Sequence, residues 1–333
     1  MTMTKIMQKT IYILLFLFVS QLAHAKLEIQ IIQGNASALP IAVIPMQWRA
    51  TDPRPETGVS EVVSSDLYRS GLFDPLEEQD MVDRPVDAES IRYGTWRLLK
   101  VDYLVIGHVQ DAPGNTGYEI VYQLFDVHTQ EALLSQITTV GFGDLRFGSH
   151  RVADAIYEKL TGVPGAFSTR IAYISATGLG DDQNYQLFVA DADGFNPQAV
   201  VGSPEPLLSP NWSPDGQRLA YVSFEQGNSA IWVQSVATGQ RELVSSGKGI
   251  NGAPAFSPDG RLLAAASTHG RVVIWDSSSG VPQTKLYTRI SAGAIAFSPD
   301  SSLLAVSRPG RVLLWSVQAK GQVHELVGHE STP

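Results

Sequence analysis

The chain has no cysteine, which excludes disulfide bridges and thiolate metal sites. Charge is sparse: 17% of its 333 residues are Asp, Glu, Lys or Arg, and bases are the scarcer kind, 24 against 33 acids. An acidic chain is poorly suited to nucleic acid or anionic lipid, whose phosphates repel it. Long apolar runs are also missing, apart from Ile11-Tyr-Ile-Leu-Leu-Phe-Leu-Phe-Val19 near the start. That run is shorter than the ~20 residues of a spanning helix. The sequence contains no Gly-x-Ser-x-Gly elbow, no His-Glu-x-x-His and no phosphate-cradling glycine loop. Gly178-Leu-Gly180 leads into Asp181-Asp182, which would repel phosphate. No catalytic residue, metal or cofactor is therefore expected.

A repeat is present. Trp212-Ser-Pro-Asp-Gly216 returns as Phe256-Ser-Pro-Asp-Gly260 and as Phe297-Ser-Pro-Asp-Ser301, each followed by an apolar run. Ala172, Ala220, Ala264 and Ala305 mark four units whose period fits a four-stranded propeller blade of about 40–50 residues. Each unit carries a second strand, ending near Val189, Val233, Trp275 and Trp315. Ser-Pro-Asp-Gly is turn chemistry: Pro presets φ, Asp bonds a nearby amide and Gly accepts positive φ. It should join two antiparallel strands of one blade, so its repeated Asp residues read as structural rather than metal-binding. Trp232, Trp275 and Trp315 occupy roughly equivalent strand positions and read as core.

The N-terminus has three segments in order: basic Lys5 and Lys9, the apolar run, and Ala23-His24-Ala25 with small residues at the cleavage positions. Together they describe a signal peptide over 1–25, with an uncleaved anchor as the alternative. A mature chain from Lys26 keeps 22 bases against 33 acids, a net charge of −11.

Residues 26–163 alternate strand and helix signals, which predicts an α/β domain. Helices are expected over 60–70 (Val62, Val63, Leu67 and Tyr68 inward), over 90–100 (Ile91 and Leu98 inward, Trp96 off the stripe) and over 144–160, where Phe147, Val152 and Ile156 are apolar. Strands are expected at 41–45 and 103–107, and a hairpin around His128-Thr-Gln-Glu131. The domain should end near Gly162-Val-Pro-Gly165, with an all-β propeller over 164–333. The histidines His108, His128, His150 and His269 lack metal-ligand spacing and read as structural, as do His324 and His329 near the C-terminus.

These segments in this order resemble the TolB family, periplasmic proteins of the Tol–Pal system. The resemblance rests on Pro40-Ile-Ala-Val-Ile-Pro-Met-Gln-Trp48, Asp66-Leu-Tyr-Arg-Ser-Gly-Leu-Phe73, Val121-Tyr-Gln-Leu-Phe-Asp126, Gly165-Ala-Phe-Ser-Thr-Arg-Ile-Ala-Tyr173 and Asn251-Gly-Ala-Pro-Ala-Phe-Ser-Pro-Asp-Gly260. It covers about residues 26–262. From about 262, Trp275-Asp276 and Gly328-His329 resemble WD repeats. The family's propeller has six blades, whereas four units are visible here, closed or incomplete.

The resemblance implies a non-catalytic periplasmic protein that links TolA and Pal in outer-membrane integrity and cell division. The TolA-like segment would be Leu27, Glu28, Ile29, Gln30, Ile31 and Ile32, an alternating stretch able to add to a partner's sheet edge. An ordinary first strand of the domain is the other reading of the same residues. Pal would meet the loops leading into the blades: Pro204 and Leu207, then Ile250, Asn251, Gly252 and Ala253, then Gly293. Ile250 stands where the family implies a histidine. A truncated or recombined WD-type scaffold without Pal binding is the alternative function. An open run of blades would add self-association.

Overall fold

The structure is a computed structural model and describes residues 38–246, 252–267, 269–288 and 293–327, the Asp181 side chain excepted. It begins with a mixed sheet carrying helices on both faces. The strands are β1 (Leu39–Val43), β2 (Gln47–Trp48), β3 (Phe73–Pro75), β4 (Tyr103–Asp111), β5 (Tyr118–Asp126) and β6 (Ala132–Val140). Their order is β3-β1-β4-β5-β6, with β2 beside the far half of β4. β1 is parallel to β3 and β4, and β4, β5 and β6 are antiparallel.

The helices are α1 (Val59–Arg69), α2 (Tyr93–Leu98) and α3 (Leu145–Thr161). α1 and α3 cover one face: Val63, Leu67, Val152 and Ile156 pack on Ile41, Val43, Val105 and Ile120. Trp96 covers the other with Ile91, against Ala42, Leu104 and Ile106. β1 is buried on both faces, which is why it reads as an unbroken apolar run rather than an alternating one.

Four side chains depart from the sequence reading. α2 is one short turn-and-a-half, and Trp96 is its core residue, whereas Leu98 is 86% exposed. A stripe drawn over eleven residues fails when only six are helical. In α1, Tyr68 points to solvent and Asp66 takes a buried place beside Leu67. Phe147 in α3 is also exposed.

After this α/β region comes a propeller-like run of four sheets. The first has three strands, β7 (Arg170–Thr177), β8 (Asn184–Asp191) and β9 (Gln198–Ser203). The second holds β10 (Leu207–Trp212), β11 (Arg218–Ser223), β12 (Ala230–Ser235) and β13 (Arg241–Ser245). β14 (Ala255–Phe256), β15 (Leu262–Ala266), β16 (Arg271–Asp276) and β17 (Pro282–Tyr287) make the third. The fourth is β18 (Ile295–Phe297), β19 (Leu303–Arg308), β20 (Arg311–Ser316) and β21 (Gly321–Val327).

Each Ser-Pro-Asp turn joins the first two strands of its sheet by one repeated set of bonds. In the second sheet Ser213 Oγ donates to Asp215 Oδ1 (2.5 Å) and accepts from Arg218 N (2.9 Å), and Gln217 N donates to Asp215 Oδ1 (3.0 Å). Ser257 with Asp259, and Ser298 with Asp300, repeat the pattern. These bonds favour ionised carboxylates. Ser213 foremost lowers Asp215, and Ser298 foremost lowers Asp300 to about 2.

Three apolar clusters weld the sheets in series. Leu187 and Val189 meet Leu219 and Tyr221; Ala220 and Val233 meet Leu263 and Trp275; Ala264 and Ile274 meet Leu304 and Val306. Strand register corrects one expectation. Ala220 pairs with Val233 and Ala264 with Ile274, so Trp232 corresponds to Val273. Trp275 and Trp315 sit two residues further along the strand, on the same face.

Candidate functional site

Antiparallel pairing decides which loops share an end of the sheets. The start of each first strand lies beside the end of the second, so the loop leading into a sheet meets that sheet's middle hairpin. Phe224 N donates to Pro206 O (3.1 Å), Gly252 N to Ala266 O (2.5 Å) and Gly293 N to Ser307 O (2.9 Å). The described residues that lead into β10, β14 and β18 therefore lie at the same end of their sheets, the mouth, and the Ser-Pro-Asp turns at the other.

At the mouth Pro204, Ala253 and Gly293 are exposed and Gly252 is half-buried. A Cβ on Gly293 would sit 2.8 Å from Ser307 Oγ, so glycine allows the loop to lie against β19. Leu207 differs from its expected role. It is 1% exposed and packs with Leu187 and Tyr221 between the first two sheets. Its side chain positions the loop and Pro204 presents it. Ile250 and Asn251 lie outside the described residues, as do Leu27, Glu28, Ile29, Gln30, Ile31 and Ile32.

In the fourth sheet the mouth carries paired charge. Arg308 Nη2 and Arg311 Nη1 both donate to Glu325 Oε1, at 2.8 and 2.5 Å. The Arg311 bond foremost holds that carboxyl below its ordinary range. Arg308 also reaches Thr288 O (3.4 Å) beside the loop into the fourth sheet. Among the described residues histidine meets carboxylate in two places: His128 with Asp102 (2.8 Å), and His150 with Asp66 and Asp193.

The His150 cluster joins the α/β region to the sheets. His150 in α3 is buried, and its Nδ1 lies 2.5 Å from Asp66 Oδ2 in α1. Its Nε2 faces Asp193 Oδ2 at 3.9 Å, in the turn between β8 and β9. Arg69 pairs with Asp66 (2.7 Å), and Arg146 donates to Asp193 and stacks 4.0 Å over Phe195. Burial would raise the Asp193 carboxyl. The Phe195 amide, Arg146 and His150 outweigh it and hold it below the ordinary range. Asp66, His150 and Asp193 bring ligand-type atoms within 4.8 Å of one another, a grouping invisible to sequence spacing. Arg69 and Arg146 already balance the two carboxylates, so a divalent ion would bury two uncompensated charges. The cluster reads as a joint.

The connecting segment is pinned beside it. Asp154 accepts from Phe167 N (2.7 Å) and Ser168 N (3.0 Å). A Cβ on Gly165 would lie 2.3 Å from Asp154 Oδ1, so glycine is needed for this approach.

Comparison with known proteins bears on both regions. The model of the TolB amino-terminal domain matches residues 27–133, and that of the TolB beta propeller domain matches 157–331. The propeller match runs through the units after residue 262 that were expected to be WD-like. The chain is 54% identical over 240 residues to the Tol-Pal system protein TolB of Xanthomonas oryzae pv. oryzae (strain PXO99A), which is 72% of this chain and 54% of that protein. It is equally similar, over 227 residues, to that of Xanthomonas campestris pv. campestris (strain B100), covering 68% of this chain and 52% of the relative. The crystal structure of TolB from Acinetobacter baumannii superposes with a TM-score of 0.72 at 32% identity, over 86% of this chain and 70% of that one. The chain thus spans about half the length of the curated relatives it matches. With both of its regions matched in order, the chain belongs to the TolB family.

Proposed function

We propose that the protein is a non-catalytic, periplasmic interaction component of a Tol–Pal envelope system. In this reading residues 1–25 direct export, and the mature chain begins at Lys26. It links a TolA-like inner-membrane protein to Pal and serves outer-membrane integrity and cell division. Leu27–Ile32 is the TolA-binding segment, acting as an added strand at a partner's sheet edge. Pal docks at the mouth, on Pro204, Gly252, Ala253 and Gly293 with Ile250 and Asn251. The observation that carries the reading is that the described residues leading into three sheets lie at the same end of them, in sheets that match the TolB propeller.

The test is calorimetry of the mature chain against soluble Pal and the periplasmic domain of TolA. Deleting 26–34 should abolish TolA binding and leave thermal melting unchanged. Ala253→Arg should weaken Pal at least tenfold. Ile250→His should strengthen it by about 0.5–1.5 kcal/mol, the worth of one hydrogen bond. Absence of Pal binding in wild type and Ile250→His alike would overturn the Pal assignment.

A further inference from the structure

A cleft of about 440 Å³ opens beside α1 in the α/β region. α1 turns Asp66 toward His150 in α3. Ser60, Ser64 and Tyr68, spaced by four, share the opposite flank of the helix and line the cleft. The end of β1 adds Val43 and Pro45. β3 and the chain leaving it add Pro75, Leu76 and Met81, so the cleft also has an apolar floor.

The charge of the cleft has one sign. Glu61, Asp74, Glu77 and Glu78 line it, and no Lys, Arg or His does. Arg54 pairs with Glu61 (3.4 Å) and Arg84 with Glu78 (3.0 Å) from outside the lining. Among the described residues no base pairs with Asp74 or Glu77. A second, independent observation points to a ligand. Ser60 is 5% exposed, and its Oγ has no hydrogen-bond partner among the described residues. A buried hydroxyl left in that state is costly, and a donor arriving through the cleft relieves it.

We propose that this cleft binds a primary ammonium on a short aliphatic stem, carried by a free diamine or by a lysine side chain. The carboxylates repel an anion and attract a cation, and an ammonium has only donors, which Ser60 Oγ and the carboxylates accept. The methylene stem lies on Val43, Pro45 and Leu76. Tyr68 keeps its ring 69% exposed beside these groups, and the face of such a ring attracts a cation. The volume falls within the roughly 300–1,000 Å³ of small-molecule sites. Two carboxylates without a base suit two ammonium groups, so a diamine fits better than a single lysine.

Calorimetric titration of the full chain with putrescine at low salt tests it. One saturable site is expected. The paired substitution Asp74→Asn with Glu77→Gln should weaken it roughly tenfold or more, and Ser60→Ala roughly threefold. Asp74 and Glu77 are exposed and Ser60 Oγ has no partner to lose, so thermal melting should be unchanged in both variants. Nα-acetyl-lysine amide is the second probe: weaker binding than putrescine assigns the site to a free diamine, and tighter binding assigns it to a lysine side chain. Butanediol, the uncharged analogue of putrescine, should not bind. Three results would overturn the proposal: no binding of either amine, butanediol binding as tightly as putrescine, or an affinity that either variant leaves unchanged.

Discussion

The α/β region and the sheet series solve burial differently. In the α/β region a single sheet is covered once on each face, and each core position has its own partner: Trp96 sits over Leu104 and Ile106, Ile156 over Ile120 and Val105. In the series the same residue type returns at the same register, and burial depends on whether another sheet follows. Leu286 and Leu326 have the same cross-strand neighbour type, Val272 and Val312, yet only Leu286 is covered. Cores of the first kind are specified by the chain that surrounds them. Cores of the second kind are specified pairwise, as in repeat proteins whose stability is a sum of neighbour terms.

Four perturbations sharpen this contrast. The largest effect should come from Trp96→Ala, which removes the fully buried indole from the α2 face and should cost about 3–5 kcal/mol. Denaturant melting should show the α/β region lost while the sheet series keeps its far-ultraviolet signal. Next, Leu286→Ala should cost about 2–5 kcal/mol, whereas Leu326→Ala, at a side chain 48% exposed, should cost about 1 kcal/mol or less. Equal losses at the two positions would mean that burial is not set by the following sheet.

The joint should respond less. His150→Ala leaves Asp66 with Arg69 as partner and should cost about 1–3 kcal/mol, the usual penalty for an orphaned buried polar group. Its signature is earlier cleavage in limited proteolysis between 162 and 169, since α3 then holds the turn at Asp193 through Arg146 alone. Unchanged cleavage would mean that Arg146 alone carries the joint.

The smallest effect concerns acid. Asp276 and Asp300 have carboxyls lowered to about 2, chiefly by Ser278 and by Ser298. An unfolded Asp titrates near ~3.9. The depressed folded values mean that the turns contribute stability above about pH 4 and lose it as pH falls toward about 2. Melting temperature followed through that window should fall less steeply for the Asp276→Asn, Asp300→Asn double variant than for wild type.

Much of the fold was readable because its signals are local. Ser213, Asp215 and Gly216 satisfy their own turn within a few residues, so the motif works wherever it stands. The hairpin of β5 and β6 closes around His128-Thr-Gln-Glu131 for the same reason, with His128 N and Thr129 N donating to Asp126 Oδ1 (2.8 Å each). The candidate site was half readable. The loops leading into the sheets follow from the repeat, but Leu207 was misplaced because a single leucine beside a turn does not reveal its direction. Trp96 was misplaced because α2 is too short to show a stripe.

What the sequence determined by itself is the order of the regions, the turns, the strand period and the family. All rest on bonds and patterns confined to a few neighbouring residues. Only the tertiary structure decided which equivalent side chains are covered, that Trp96 rather than Leu98 is core, and that Asp66, His150 and Asp193 meet. His150 lies 84 residues from Asp66 along the chain. Nothing local favours that contact; it exists because α1 and α3 lie on one face of one sheet and the first propeller turn closes over them.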